Sequence, residues 1–89
     1  MFEKSIEVVN DTGLHARPAA LFVQAASRYK SSIWLEKEEK KVSAKSIMGI
    51  MSLGVAKGIK IKISAEGIDE EPAVEELITL VKSKFGESL

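Results

Sequence analysis

The chain has no cysteine, which excludes disulfide staples and thiolate-held metals. It has one histidine, too few imidazoles for a structural zinc site without thiols. No metal and no cofactor is expected. Neither sign of charge prevails: thirteen basic residues meet thirteen acidic ones, for a formal net charge of zero. That balance argues against nucleic acid as the main partner, because phosphate backbones select a basic excess. No apolar run approaches the length of a membrane span, so no membrane insertion is expected. The opening Met1-Phe2-Glu3-Lys4 has none of the apolar stretch of a secretion signal. A cytoplasmic, soluble protein is the expectation. Repeats, linkers and low-complexity segments are lacking too. What remains is 89 residues, 45% of them hydrophobic, enough for one domain over residues 1–89 around a small core.

Hydrophobic periodicity divides the chain into seven elements. Phe2 to Val9 alternates, with Phe2, Ile6 and Val8 on one face and Glu3, Ser5 and Glu7 on the other; Lys4 is the one defect in this strand pattern. Asn10 to Gly13 is a turn cluster. Ala16 to Tyr29 reads as a helix whose buried stripe is Ala19, Phe22, Val23 and Ala26. A second strand follows, with Ile33 and Leu35 opposite Trp34 and Glu36. The charged run Glu36 to Lys41 reads as a solvated hairpin, leading to a short strand with Val42 and Ala44. Ser46 to Leu53 predicts a short helix stopped by Gly54. Ile59, Ile61, Ile63 and Ala65 alternate with Lys60, Lys62, Ser64 and Glu66, predicting a strand with one wet face. The last helix is predicted from Glu70 to Phe85, with Asp69 as N-cap, Pro72 in the first turn and Gly86 as terminator. Its stripe is Ala73, Val74, Leu77, Ile78 and Val81. The order β-α-β-β-α-β-α predicts an α+β fold: a four-stranded, mostly antiparallel sheet covered by helices on one face.

Chemistry concentrates in Gly13-Leu14-His15-Ala16-Arg17-Pro18-Ala19. Gly13 allows an unusual backbone angle in the turn. Pro18 is tolerated only in the first helical turn. A helix opening at His15 or Ala16 puts the imidazole at its N-terminus. There the free N–H groups of Ala16 and Arg17 form an anion cradle, reinforced by the dipole. The Arg17 guanidinium suits two-pronged binding of phosphate oxygens. Nucleophile, cradle and cation within three residues suit a phosphoryl group on His15. A solvated helix start would use the same residue types, and spacing by itself leaves that alternative open. No P-loop, carboxylate pair or metal cluster is present to break a donor's bond, which suits an acceptor and donor of phosphate rather than an enzyme.

Ser46 reads as the N-cap of the short helix, accepting from the N–H of Met48 or Gly49. Ile47, Met48, Ile50, Met51 and Leu53 are too many apolar residues for one buried face. Ile50 and Leu53 are expected inward, with Met48 and Met51 outward as an adaptable contact surface.

Both segments resemble the HPr family, the histidine-containing phosphocarriers of the bacterial phosphoenolpyruvate:sugar phosphotransferase system. Gly13 to Ala19 resembles the family's phosphorylation signature. Lys45-Ser46-Ile47-Met48-Gly49-Ile50-Met51-Ser52-Leu53 resembles the regulatory-serine segment of Gram-positive-type members. The resemblance covers nearly the whole chain. It implies an open-faced β-sandwich and His15 as the phosphorylated residue, through a ring nitrogen that the sequence does not select. It implies Arg17 and Ala16 around the phosphate, and a docking patch of Ala20, Ile47, Met48 and Met51. It implies Ser46 as substrate of a dedicated serine kinase/phosphorylase. The implied partners are the phosphoenolpyruvate-dependent donor (enzyme I), sugar-specific acceptor domains (enzyme IIA) and a catabolite-control repressor. A monomer is expected. Two alternatives stand beside this reading. A purely regulatory paralogue would act with the repressor through Ser46, but such paralogues lack the active-site histidine. A nucleic-acid-binding α/β sandwich would need a basic, aromatic sheet face, for which Trp34 and the lysines of the fourth strand offer little.

Overall fold

A computed structural model describes residues 1–86 of the chain. Four strands, β1 (Phe2–Glu7), β2 (Ser32–Lys37), β3 (Lys40–Ser43) and β4 (Lys60–Glu66), form one sheet in the order β1-β4-β2-β3. All three pairings are antiparallel. Helices α1 (Ala16–Ser27), α2 (Ile47–Ser52) and α3 (Glu70–Lys82) complete an open-faced α+β sandwich. α3 packs across β1, β4 and β2, while α1 packs on α2 and α3. No helix among the described residues is long and apolar enough to cross a membrane.

The predicted periodicities produce this layering. Ile61, Ile63 and Ala65 of β4 and Ile33 and Leu35 of β2 are buried on one face. Register places them side by side: Ile33 opposite Ala65, and Leu35 opposite Ile63. The stripe Ala73, Val74, Leu77, Ile78 and Val81 of α3 is buried, as are Ala19, Phe22 and Ala26 of α1. Val23 is only half-buried, and Pro18 and Ala25 take places in the covered face. Each fully buried Val, Leu, Ile or Phe side chain contributes about 1.5–3 kcal/mol.

Lys4, the defect in the β1 alternation, pairs with Ile63 and so shares the helix-covered face. β1 is an edge strand, which lets the ammonium escape to Glu75 of α3 at 2.9 Å. Ser64 corrects the wet-face expectation for β4: it is 1% exposed. Its strand is central, and the register sets this small residue between Glu3 and Trp34, which shade it.

Two ends of α3 also differ from expectation. Asp69 precedes the helix but makes no side-chain cap. Its carboxylate turns instead to the α1–β2 connection, accepting from the N–H of Lys30 at 2.8 Å and of Ser31 at 2.9 Å, and from the Ser31 hydroxyl. Gly86 is not the helix terminator, because α3 stops at Lys82. Lys84 and Phe85 then take left-handed backbone angles, φ 60° and 56°. Left-handed backbone costs roughly 1–2 kcal/mol per residue; burial of the Phe85 ring, left 5% exposed, is of the same order. β1 and α1 end two residues before their predicted limits, at Glu7 and Ser27.

Candidate functional site

The loop before α1 is fixed from beneath. Gly13 N–H donates to Asn10 O, and Leu14 N–H donates to Val55 O at 2.9 Å. Asn10 Nδ2 returns a bond to Gly13 O at 2.8 Å. Gly13 has φ 62° and lies so close to the 55–56 backbone that a Cβ would sit 2.8 Å from Ala56 Cα, and nearer still to the Val55 carbonyl. Only glycine allows both the angle and the approach. Further out, Gly58 N–H donates to Val8 O at 2.7 Å and Val8 N–H to Ile59 O at 2.9 Å. Loops 8–14 and 55–59 are therefore one stitched platform.

On this platform His15 is the N-cap of α1, with extended backbone at φ −76° and ψ −173°. Its carbonyl accepts from Ala19 N–H at 2.8 Å, while its side chain makes no capping bond. Pro18 is the third helical residue, so the first-turn N–H groups left over are those of Ala16 and Arg17. They have no hydrogen-bond partner among the described residues. Arg17 is exposed and has no ion-pair partner among the described residues. His15 and Arg17 line one open cleft of about 550 Å³, together with Asp11, Thr12, Pro18, Phe85 and Gly86. An exposed imidazole and an unclaimed guanidinium line the same cleft, at a helix start that carries two unclaimed N–H donors. Such an arrangement holds an anion beside a nucleophilic nitrogen.

Ser46 caps α2. Its hydroxyl oxygen accepts from Gly49 N–H at 3.1 Å and its carbonyl from Ile50 N–H at 3.0 Å, an arrangement worth about 1 kcal/mol. Ile50 and Leu53 are buried, at 0% and 4% exposure, and Met48 points outward at 81%. Ile47 and Met51 are also exposed. Because α1 packs on α2, half-buried Ala20 and these exposed side chains belong to neighbouring helices.

Sequence reasoning missed four contributors to this region. Phe85 and Gly86 reach the His15 cleft from the far end of the chain, with no local signal to reveal it. Asp11 lines the cleft and is bonded to Lys57 at 3.0 Å; its place beside the motif was the only hint. Lys37, assigned to a solvated hairpin, donates to Leu53 O at 3.0 Å and Gly54 O at 3.2 Å, satisfying the carbonyl end of α2.

The family model described as the PTS HPr component phosphorylation site matches residues 2–83. The chain belongs to the HPr family. The HPr-like protein Crh of Halalkalibacterium halodurans is 54% identical over 84 residues, covering 94% of this chain and 100% of that protein. The phosphocarrier protein HPr of Neisseria meningitidis is 45% identical over 87 residues, 98% of each chain. The crystal structure of HPr-C-His from Thermoanaerobacter tengcongensis superposes with a TM-score of 0.97 at 65% identity, covering 100% of both chains. Membership in the HPr family makes this a phosphocarrier-type protein, and the family fold is the sandwich described above.

Proposed function

We propose that this protein carries phosphoryl groups in the phosphoenolpyruvate:sugar phosphotransferase system, with His15 as the carrier residue. A ring nitrogen of His15 attacks the donor's phosphorus; an N–P bond forms as the bond to the donor's leaving atom breaks. The second transfer reverses these roles towards a sugar-specific acceptor domain. Ala16 and Arg17 N–H groups and the Arg17 guanidinium hold the phosphate oxygens between the two steps. The chain is a stoichiometric carrier rather than an enzyme, cytoplasmic and monomeric, and needs no cofactor. Ala20, Ile47, Met48 and Met51 form the docking patch for donor and acceptors. Ser46, phosphorylated by a serine kinase, links the carrier to a catabolite-control repressor. A phosphate at a helix N-terminus is tolerated by the fold, so its effect falls on partners.

One observation carries this reading: the His15 side chain makes no capping bond although it stands at the cap position, over two unclaimed N–H groups. A purely regulatory role through Ser46 is the second reading, favoured by the likeness to proteins named HPr-like Crh. The open sheet face gives the nucleic-acid reading little support, since Lys62 lies between Glu3 and Glu36. The deciding experiment is incubation with phosphoenolpyruvate and the first enzyme of the system. An acid-labile phosphoryl group on His15 is the expected product. Labelling of Ser46 by ATP and a serine kinase, with His15 never labelled, would leave only the regulatory reading.

A further inference from the structure

Asp11 is the one carboxylate among the described residues that line the His15 cleft. A phosphoryl group arriving there would meet a like charge, and Asp11 would compete with it for Arg17. The structure gives Asp11 a different cation as partner. Lys57 Nζ sits 3.0 Å from Asp11 Oδ1, and its loop is clamped to the Asp11 loop by the Gly58–Val8 and Leu14–Val55 backbone bonds on either side. The Lys57 hydrogen bond and charge hold the Asp11 carboxyl below the usual carboxylate range, with Lys84 adding a smaller effect of the same sign. Asp11 is therefore ionised and already engaged. Both side chains of the pair are well exposed, at 74% and 59%. Exposed pairs add little to folding stability, so the platform does not need this bond to hold together.

We infer that Lys57 is a positioning residue of the phosphoryl site: by engaging Asp11 it keeps Arg17 open for phosphate and offsets the carboxylate's repulsion. This rests on the phosphocarrier reading of His15. It also predicts an electrostatic effect of modest size, about two- to fivefold in the equilibrium, because the pair is exposed. Salt shortens the range of such effects to about 10 Å at 0.1 M and about 3 Å at 1 M.

The test is a rescue series: wild type, Lys57→Gln, Asp11→Asn and the double variant. Each is equilibrated at low salt with phosphorylated donor enzyme, and the fraction carrying phosphohistidine is measured. A parallel titration with inorganic phosphate follows the Ala16 and Arg17 amide resonances and needs no donor. Lys57→Gln is expected to lower the transfer equilibrium and the phosphate affinity about two- to fivefold. Adding Asp11→Asn is expected to restore both at unchanged melting temperature. A double variant as impaired as Lys57→Gln would overturn the inference, showing that Lys57 acts on phosphate or donor directly. Equal values for Lys57→Gln and wild type at low salt would also overturn it. Failure of the wild type to label at His15, with the phosphate titration still following the rescue pattern, would sink the carrier reading and leave the Asp11–Lys57 role standing.

Discussion

The two ends of α1 are built on opposite plans. At its C-terminal end the polar groups are engaged. Arg28 pairs with Glu76, and the Tyr29 hydroxyl donates to the same carboxylate. Lys45 Nζ donates to Tyr29 O at 2.8 Å. Asp69 gathers Lys30 N–H, Ser31 N–H and the Ser31 hydroxyl, while Gly67 lies so near that a Cβ there would sit 2.7 Å from Ser31 Cα. At the N-terminal end the His15 side chain, the Ala16 and Arg17 N–H groups and the Arg17 guanidinium have no partners among the described residues. Unmade polar contacts forgo stability, about 1 kcal/mol for a missing cap. The helix is anchored at one end, and its donors are left open at the other. Stability and chemistry are thus separable by mutation, and the comparison can be tested end by end.

The largest effect is expected from His15→Ala. Phosphoenolpyruvate-dependent labelling should vanish, because no other imidazole exists in the chain. The fold should hold within about 0.5 kcal/mol, as expected for an exposed side chain without a capping bond. Mass spectrometry and a thermal melt check both halves, and persistent labelling would move the carrier residue elsewhere. Arg17→Ala comes next. It removes charge but leaves the backbone donors, so loss of one charge-assisted contact of about 1.5–3 kcal/mol should slow transfer roughly tenfold to a hundredfold. Unchanged stopped-flow rates would reduce Arg17 to a solvated first-turn residue.

Ser46→Asp should slow phosphate acceptance by His15 to a smaller degree. Aspartate is itself a sound N-cap and suits the dipole, so stability should stay level or rise by about 0.3–1 kcal/mol. The defect would arise where the added charge meets the docking donor, and high salt should relieve part of it. A lowered melting temperature would attribute the slow rate to damage in α2 instead.

The smallest effect on transfer is expected from the anchored end. Asp69→Ala should leave His15 labelling near wild type and lower the melting temperature, since it strips partners from Ser31, which is 2% exposed. The Ser31 hydroxyl first, then the Lys30 N–H, hold the Asp69 carboxyl at about 2, against an ordinary 3.8. A depressed carboxyl stabilises the fold above its ordinary value and ceases to do so as pH falls through the depressed one. The gap in melting temperature between wild type and variant should therefore be full above pH 4 and close towards pH 2. A gap independent of pH would assign the loss to packing rather than to the ionised carboxylate.

Local pattern carried the sequence reading far. The strict alternation of Ile59 to Glu66 predicted the strand that became β4, and Gly13, His15 and Pro18 predicted a helix opening at the imidazole. Counting apolar residues in a two-turn helix sent Met48 outward and Ile50 inward, as observed. Each of these rests on interactions within a few residues, where period and capping rules apply. Asp69 shows where such rules end. An acidic residue before a helix suits an N-cap, but donors 38 residues away claimed it. Lys37 and Ser64 misled for the same reason: a helix end and a neighbouring strand supply their surroundings.

The sequence by itself determined the order of strands and α-helices, most of their buried stripes and the placement of histidine, free amides and guanidinium at one helix start. Spacing along a helix and the missing N–H of proline fix those. Tertiary structure alone decided the strand order β1-β4-β2-β3, which encloses Ser64. It alone brought Phe85 into the His15 cleft and Lys57, 46 residues on, to Asp11. Those contacts depend on the path of the whole chain through a shared core, and no local preference encodes which distant side chain arrives.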